Sequence, residues 1–169
     1  NGNNIFLKPT GNETGVKVIA NGAVELYHDG SQVFSTSANS AIVWGTEGNN
    51  ATLYLQADDG DDWADYWNIT ATTDGHLDIQ CRNNSGGFQD ALTIIRDGGV
   101  ELYYDQAKKF ETIPTGVRAS GHVDITGGNH LYLADSGKVV CGAGSDLWMY
   151  HDGGNSFLAN TGGNLYIRN

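Results

Sequence analysis

Proline, cysteine and basic residues are scarce in this sequence, and the shortages exclude some classes of protein. The 169 residues include two prolines, two cysteines and nine lysine or arginine residues against 20 acidic ones, which gives a net charge of −11. Nucleic-acid binding needs clustered basic side chains that neutralise phosphate, so this composition argues against that partner. No apolar run approaches the roughly 18 residues of a membrane-spanning helix, so the sequence predicts no membrane insertion.

The two cysteines, Cys81 and Cys141, belong to different parts of the sequence, and neither has a Cys-x-x-Cys neighbour. Free cysteine packs as a small hydrophobic residue. We therefore predict two buried thiols. A disulfide between them is the alternative if the chain matures outside a cell.

Glycine, unlike proline, is abundant in this sequence. Its 24 residues are about twice the usual share. This predicts many tight corners, and collagen is excluded because glycine does not recur at every third residue. The hydrophobic fraction of 39% is modest. We therefore predict a thin core that is shared between chains, because small units often need oligomerisation to be stable.

One short stretch occurs three times and organises the chain. Copies one and two are 76 residues apart and keep their register without a gap from Gly22 to Thr36. Copy three is looser but ends on the same Tyr-His-Asp-Gly letters as copy one. Such repeats stack units that cannot bury their apolar faces alone. The copies are residues 22–30, 98–105 and 147–153, followed at one common offset by Phe34, Phe110 and Phe157.

The repeat has the pattern of a strand followed by a turn. Val24 and Leu26 alternate with polar positions, so they share one face of a strand. Asp29 and Gly30 then favour a turn, since glycine accepts positive φ and aspartate bonds its own backbone. The unit is therefore a hairpin or a solenoid corner. We predict that Val24, Leu26, Val100 and Leu102 are buried and that Glu25 and Glu101 are exposed.

Short alternating runs recur about every 8–12 residues, which predicts an all-β fold. Only Trp63, Tyr66 and Trp67 have the spacing of a single helical turn. Weak boundaries rich in glycine and asparagine divide the chain into four modules of one continuous segment. The modules are 1–45 (first β repeat), 46–97 (acidic loop), 98–126 (second β repeat) and 127–169 (C-terminal repeat), and the predicted strands include 123–125, 131–133 and 165–167.

Three segments, at 100–117, 146–168 and 55–69, carry a resemblance to a known kind of protein. Their sequences resemble those of bacteriophage tail fibres and related virion appendage proteins, especially of marine phages. The resemblance implies an elongated homotrimeric β-fibre of β-helix or β-prism type, with intertwined or stacked strands. It also implies a non-enzymatic structural role in a virion tail appendage, extracellular when functional, that supports or mediates host attachment.

The acidic module departs from that pattern, because Trp63, Tyr66 and Asn68 stand where polar or basic residues are more usual. Two alternatives to a fibre shaft follow. One is a receptor tip that binds carbohydrate, with a host surface polysaccharide as the partner. The other is an extracellular filament subunit that assembles end to end without a virus.

Four aromatic residues are candidate glycan contacts because they break the repeat. Trp148 stands at the strand position of Glu25, which the alternation places outward, near Tyr150. An outward ring can stack on a sugar, whereas an inward ring packs against a neighbouring chain, as aromatic residues at interfaces do. The candidates are Trp63, Tyr66, Trp67 and Trp148.

No set of residues for catalysis, metal or cofactor binding stands out. The acidic cluster at 58–65 lacks the terminal glutamate of a calcium loop, so we predict a solvated turn, with Ca²⁺ binding as the alternative. His28 and His151 share a repeat slot with Tyr104, which indicates packing rather than metal ligation. The paired carboxylates of the repeat recur as scaffold residues do. We predict that the chain is not an enzyme and uses no cofactor.

Overall fold

The computed structural model describes residues 4–168, and their regular structure consists of three antiparallel sheets and two short 3₁₀ turns. The all-β prediction is confirmed. The chain divides into two compact units, one ending at His122 and one starting at Val123. None of the helical segments among the described residues has the length and apolar content needed to cross a bilayer.

The first sheet is a meander in which each strand pairs with the next along the chain. Antiparallel neighbours need only short connections, and the frequent glycine and asparagine corners provide them. Its strands are β1 (Ile5–Leu7), β2 (Val16–Val18), β3 (Val24–His28), β4 (Ser31–Thr36) and β5 (Ala41–Val43).

The second sheet is a seven-stranded meander in the same unit. The acidic segment forms the two 3₁₀ turns, Asp58–Gly60 and Trp63–Asp65, in the connection between its first two strands. The sheet contains residues of two predicted modules, 46–97 and 98–126. Its strands are β6 (Ala51–Gln56), β7 (Tyr66–Ala71), β8 (Leu77–Arg82), β9 (Phe88–Ile94), β10 (Val100–Tyr104), β11 (Ala107–Ile113) and β12 (Gly116–Ala119).

The third sheet belongs to the second unit and has three strands, β13 (Lys138–Cys141), β14 (Leu147–His151) and β15 (Ser156–Asn160). The predicted strands at 123–125, 131–133 and 165–167 are wrong, because these runs have no strand structure. Alternation alone does not hold a strand, which needs a neighbour to accept and donate its backbone hydrogen bonds.

Copies one and two of the repeat are hairpins with two-residue turns. Asp29 and Gly30 have φ values of 46° and 73°, and Asp105 and Gln106 have 49° and 61°. Positive φ at both central residues is the requirement of a type I′ turn, whose twist matches that of the flanking strands. Each hairpin also contains a bulge two pairs beyond the turn, between Leu26 and Tyr27 and between Leu102 and Tyr103.

Copy three forms its hairpin with a longer loop. His151 pairs with Ser156, so four residues connect β14 to β15. The Asp152 carboxylate closes this loop by accepting hydrogen bonds from the backbone N–H of Gly154, at 2.9 Å, and of Asn155, at 2.7 Å. Because the loop is two residues longer and the hairpin has no bulge, its register differs by one position from that of the other two.

Candidate functional site

The second sheet has one face made of apolar side chains. Side chains of directly paired residues stand on the same face, so the register defines rows that run across all the strands. The middle row is Leu53, Ile69, Ile79, Leu92, Leu102, Phe110 and Ala119. One flanking row is Ala51, Ala71, Leu77, Ile94 and Val100, and the other is Leu55, Trp67, Cys81 and Gln89.

This apolar face is uncovered in the single chain. No hydrophobic side chain is buried anywhere between residues 4 and 168, and Leu102 is 41% exposed. The accessible surface is 12722 Å², whereas a compact folded monomer of this mass exposes about 8,100 Å². The chain thus exposes about 4,600 Å² more than such a monomer, and contiguous apolar rows like these favour a covering layer.

The first and third sheets carry the same feature. In the first sheet the apolar row is Leu7, Val16, Leu26, Phe34 and Val43. In the third sheet Val139, Met149 and Leu158 form the row, and they line a groove of about 740 Å³ with Leu131 and Leu133.

The prediction of which repeat side chains are buried is wrong for the single chain. Val24 and Leu26 do share a face, but Leu26 is 38% exposed and Val24 is half-buried. The equivalent valine in copy two, Val100, is half-buried as well. The side chains of Glu25 and Glu101 are only 15% exposed. The reason is that long polar side chains cover the polar face, while nothing covers the apolar one.

Among residues 4–168, the most protected side chains are therefore polar. Asn68, Thr70 and Thr93 are buried on the polar face of the second sheet, and Ser35 is buried on the polar face of the first. The hydroxyl groups of Thr70 and of Thr52 on the neighbouring strand form a hydrogen bond of 3.1 Å. These small polar side chains are buried because longer side chains on adjacent strands cover them.

A lysine, a glutamate and a tyrosine form a cluster on the polar face of copy one. Lys17 Nζ lies 2.9 Å from Glu25 Oε2, and the Tyr27 hydroxyl donates to the same carboxylate at 2.7 Å. The hydrogen bond from Lys17 lowers the pKa of the Glu25 carboxyl, and the hydrogen bond from Tyr27 adds to this effect.

Copy two builds the same cluster from a different strand. Lys108 Nζ bridges Glu101, at 2.8 Å, and Glu111, at 2.6 Å, while the Tyr103 hydroxyl donates to Glu101. The hydrogen bonds from Lys108 lower the pKa of both carboxyls, and the bond to Glu101 raises the pKa of Tyr103 to about 12. The repeat thus conserves the chemistry of its polar face with a different lysine.

In copy three the carboxylate of this cluster is replaced by an indole. Lys138 Nζ lies 3.9 Å from the ring centroid of Trp148 and 4.9 Å from that of Tyr150. Tyr150 in turn stacks on Phe157, with centroids 4.7 Å apart. Trp148 occupies the polar-face position as predicted, but it is half-buried and its Nε1 is enclosed without a partner in the described chain.

Trp63 and Tyr66 come together at the end of the second sheet. The carboxylate of Asp62 caps the 3₁₀ turn by accepting from the Ala64 N–H at 2.7 Å, which fixes the entry of Trp63. The Tyr66 hydroxyl donates to the Gly60 carbonyl at 2.9 Å. The two rings lie 6.4 Å apart at 49° and line a cleft of about 400 Å³.

Arg82 contacts the rings of this aromatic cluster, and no pattern in the sequence predicted these contacts. Its guanidinium carbon lies 4.9 Å from the ring centroid of Trp63, 4.4 Å from that of Tyr66 and 4.9 Å from that of Phe88. A guanidinium over several ring faces is a favourable cation–π arrangement. The register that pairs Arg82 with Phe88 brings these residues together, and no local pattern contains it.

Trp67 does not share the platform that Trp63 and Tyr66 form. Trp67 follows Tyr66 in β7, so its side chain stands on the opposite, apolar face, where it pairs with Leu55 and Cys81. Trp148 lies in the second unit. The single helical turn that would have joined Trp63 to Trp67 ends at Asp65, before the strand begins.

The carboxylates of Asp61, Asp62 and Asp65 have one oxygen each within 4.8 Å of one another. They are the described residues with the spacing of a cation site, but Asp62 and Asp65 already serve the 3₁₀ turn as its capping box. Asp58 and Asp59 have positive φ and form the preceding turn.

The two cysteines are free, and the prediction that both are buried is wrong. Cys81 is half-buried on the apolar face, and Cys141 is exposed on β13. Cys141 stands on the same face as Met149, so its exposure has the same cause as that of the apolar rows, the lack of a covering layer.

Comparison with known proteins adds no relative to this picture. No family model, curated protein or solved structure matches the chain. The function is therefore inferred from the residues and from the geometry that their sheets create.

Proposed function

We propose that the chain is a structural segment of a homotrimeric virion tail fibre, which supports or mediates attachment to a host and has no enzymatic role. The observation that carries this proposal is the uncovered apolar face on each of the three sheets. A sheet with one apolar face needs a second layer to be stable. Other copies of the same chain are the partner that is always present when this chain folds.

The size of the uncovered surface supports an obligate assembly. A compact monomer of this mass would expose about 4,600 Å² less surface, so the chain has enough uncovered area for extensive contact with other chains. The polar faces, with their Lys17–Glu25 and Lys108–Glu101 ion pairs, suit the outer surface of such an assembly. The virion location rests on the resemblance of 55–69, 100–117 and 146–168 to fibre segments.

The native mass in solution tests this proposal. Light scattering is expected to give three times the 18.1 kDa chain. Electron microscopy of the same sample should show discrete particles, whereas open-ended filaments would support the alternative of an extracellular filament subunit. A stably folded monomer would overturn the proposal, because it would leave the apolar faces in water.

A carbohydrate-binding tip is a second candidate, and the cleft beside Trp63 favours it. The indole is 47% exposed and is held in place by Arg82, so it offers a fixed ring face to a ligand. The Asp61 carboxylate in the same cleft is an acceptor for sugar hydroxyls. The negative charge around it favours neutral over anionic polysaccharides.

Adsorption to host cells separates the tip from the shaft. Trp63→Ala is expected to abolish adsorption of an intact oligomer if the cleft binds a glycan. Tyr104→Ala, at a hairpin tip outside the cleft and 75% exposed, is the matched control and should leave adsorption unchanged. Unchanged adsorption by Trp63→Ala would remove this candidate and leave the shaft.

A further inference from the structure

We propose that the cleft beside Trp63 binds an organic ammonium group, which is the positively charged part of ligands such as choline and amino sugars. Such a site goes beyond the proposed structural role and does not depend on it. It also goes beyond the second candidate function, because it specifies the charge of the group that the cleft selects.

The cleft has one aromatic wall and one polar wall. The rings of Trp63 and Tyr66 form the aromatic wall, with centroids 6.4 Å apart and planes at 49°. Residues 60–62 of the 3₁₀ segment form the polar wall, and the volume between the walls is about 400 Å³. Small-molecule sites commonly have volumes of about 300–1,000 Å³. Two ring faces set at an angle are the arrangement with which aromatic cages bind quaternary ammonium groups.

The protein already places one cation on these rings. The guanidinium carbon of Arg82 lies 4.9 Å from the ring centroid of Trp63 and 4.4 Å from that of Tyr66. Both distances are within the range of about 6 Å at which a ring attracts a cation. Arg82 does not line the cleft. The parts of the two rings that do line it are therefore free to contact a ligand.

The polar wall carries negative charge that no side chain neutralises. The carboxylates of Asp61, Asp62 and Asp65 have one oxygen each within 4.8 Å of one another. Asp62 and Asp65 accept hydrogen bonds from backbone N–H groups, which are neutral donors and leave the charge in place. None of the ion pairs within residues 4–168 includes any of the three. A cation in the cleft would therefore gain an attraction that the chain itself does not supply.

The aromatic wall favours an organic cation over a metal ion. Ca²⁺ takes about six to eight oxygen ligands, and a ring face offers it none. An organic ammonium group uses both walls, because its carbon atoms pack on the rings while its charge faces the carboxylates. Of the three carboxylates, that of Asp61 does not cap the 3₁₀ turn, so it can turn towards a ligand without unfolding the segment.

The walls of the cleft are fixed before a ligand arrives. The Tyr66 hydroxyl donates to the Gly60 carbonyl at 2.9 Å, which joins the two walls. A Cβ at position 60 would lie 3.2 Å from that hydroxyl, and a Cβ at Gly86 would lie 3.1 Å from the indole of Trp63. Glycine at both positions therefore allows the backbone to approach the rings closely. A preformed site loses little conformational entropy when it binds.

Nuclear magnetic resonance of choline mixed with the full chain tests the proposal. The matched control ligand is the analogue in which carbon replaces the nitrogen, because it has the same shape and no charge. Ring currents move the methyl resonances of a group bound against aromatic rings to higher field. We expect this shift, together with saturation transfer from the protein, for choline and not for the analogue. Equal effects with both ligands would show that charge plays no part and would overturn the proposal.

Two variants locate the binding in the cleft. Trp63→Ala and Asp61→Asn should each weaken binding by about tenfold or more, through loss of a ring face and of a charge. Asp97→Asn is the matched control, because it removes an acidic charge outside the cleft and copy one already has Asn21 at the equivalent position with a similar φ. It should change the affinity by less than about twofold. Unchanged binding by Asp61→Asn and Trp63→Ala would overturn the proposal.

A second pair of ligands distinguishes two sources of the ammonium group. Binding of protonated glucosamine would indicate an amino sugar, whereas binding of choline alone would indicate a quaternary ammonium group. Binding of neither would overturn the proposal, as would equal binding of glucosamine and the uncharged N-acetylglucosamine. Displacement of the bound ligand by an equimolar amount of Ca²⁺ would assign the carboxylates to a metal ion and overturn it as well.

The ammonium site and the structural role fail in different ways. A trimer that binds neither choline nor glucosamine would overturn the site and leave the structural role intact. A folded monomer that binds either ligand through Trp63 and Asp61 would support the site and remove the structural role.

Discussion

Two hairpins of this chain occupy equivalent positions of the repeat and end with their phenylalanines on opposite faces. In the hairpin of β10 and β11, the residue paired with Phe110 is Leu102, on the apolar face. In the hairpin of β14 and β15, Phe157 occupies the same offset but pairs with Tyr150 on the other face. Leu158 then takes the place beside Met149 that a phenylalanine fills in copy two.

The loop explains this difference. The type I′ turn of copy two uses two residues and is followed by a bulge, whereas the loop of copy three uses four residues and has none. The net change is one position, and a shift of one position moves a side chain to the other face of a strand. Equivalent positions of a sequence repeat can therefore lie on different faces of their sheets.

The largest expected effect comes from the apolar row of copy two. Leu102→Ala should destabilise the assembly by about 2–5 kcal/mol per chain, the usual range for a leucine deleted from a core. The measurement is the free energy of unfolding in denaturant. Lys109→Ala, an exposed residue of the neighbouring strand β11 outside the apolar rows, should change it by less than about 0.5 kcal/mol.

A loss below about 0.5 kcal/mol for Leu102→Ala would show that no other chain covers this face. Met149→Ala, at the same repeat position in copy three, extends the comparison. A loss of similar size would place the groove of the third sheet in the same kind of interface, and a much smaller loss would separate the two units.

Acid should affect copies one and two more than copy three. The folded-state pKa values of Glu25, Glu101 and Glu111 lie below the ordinary value of 4.5, chiefly because of hydrogen bonds from Lys17 and Lys108. A lowered pKa contributes stability that is fully present above the unfolded value and is lost as the pH falls through the folded one. The expected result is a melting temperature that decreases below about pH 4.5.

Hydrogen exchange across this pH range resolves the difference by region. Amides of β3 and β10 should lose protection as the pH falls below about 4.5, whereas those of β14 should hold to lower pH, because Trp148 replaces the glutamate there and the pKa of Asp152, lowered by the backbone hydrogen bonds of its loop, lies below the ordinary 3.8. Equal loss in all three hairpins would mean that the glutamate clusters do not cause the acid sensitivity. Glu101→Gln should reduce the decrease in copy two.

The smallest effect comes from the turns. Gly30→Ala should cost about 1 kcal/mol, because φ is +73° and a side chain is strained there even though no atom lies within 4 Å. Gly154→Ala in the four-residue loop is the matched control. Its φ lies outside the left-handed region and its nearest contact is ordinary, at 3.5 Å, so the change should be close to neutral. Thermal unfolding of both variants measures the difference, and an equal cost would contradict it.

The sequence by itself determined the properties that depend on near neighbours along the chain. The alternation at Val24 and Leu26 predicted that they share a face, because successive side chains of a strand point to opposite sides. The Asp29-Gly30 pair predicted the turn, because positive φ is a local property of these residues. Short runs between glycine corners predicted the all-β class for the same reason.

Only the tertiary structure decided what depends on register between strands. It placed Arg82 among Trp63, Tyr66 and Phe88, and it placed Trp67 on the face opposite to Tyr66. It also showed that the predicted core positions, Leu26 among them, are uncovered in a single chain. Register arises from loop lengths and bulges summed over the sheet, and burial depends on whatever covers it. Local patterns therefore contain neither property.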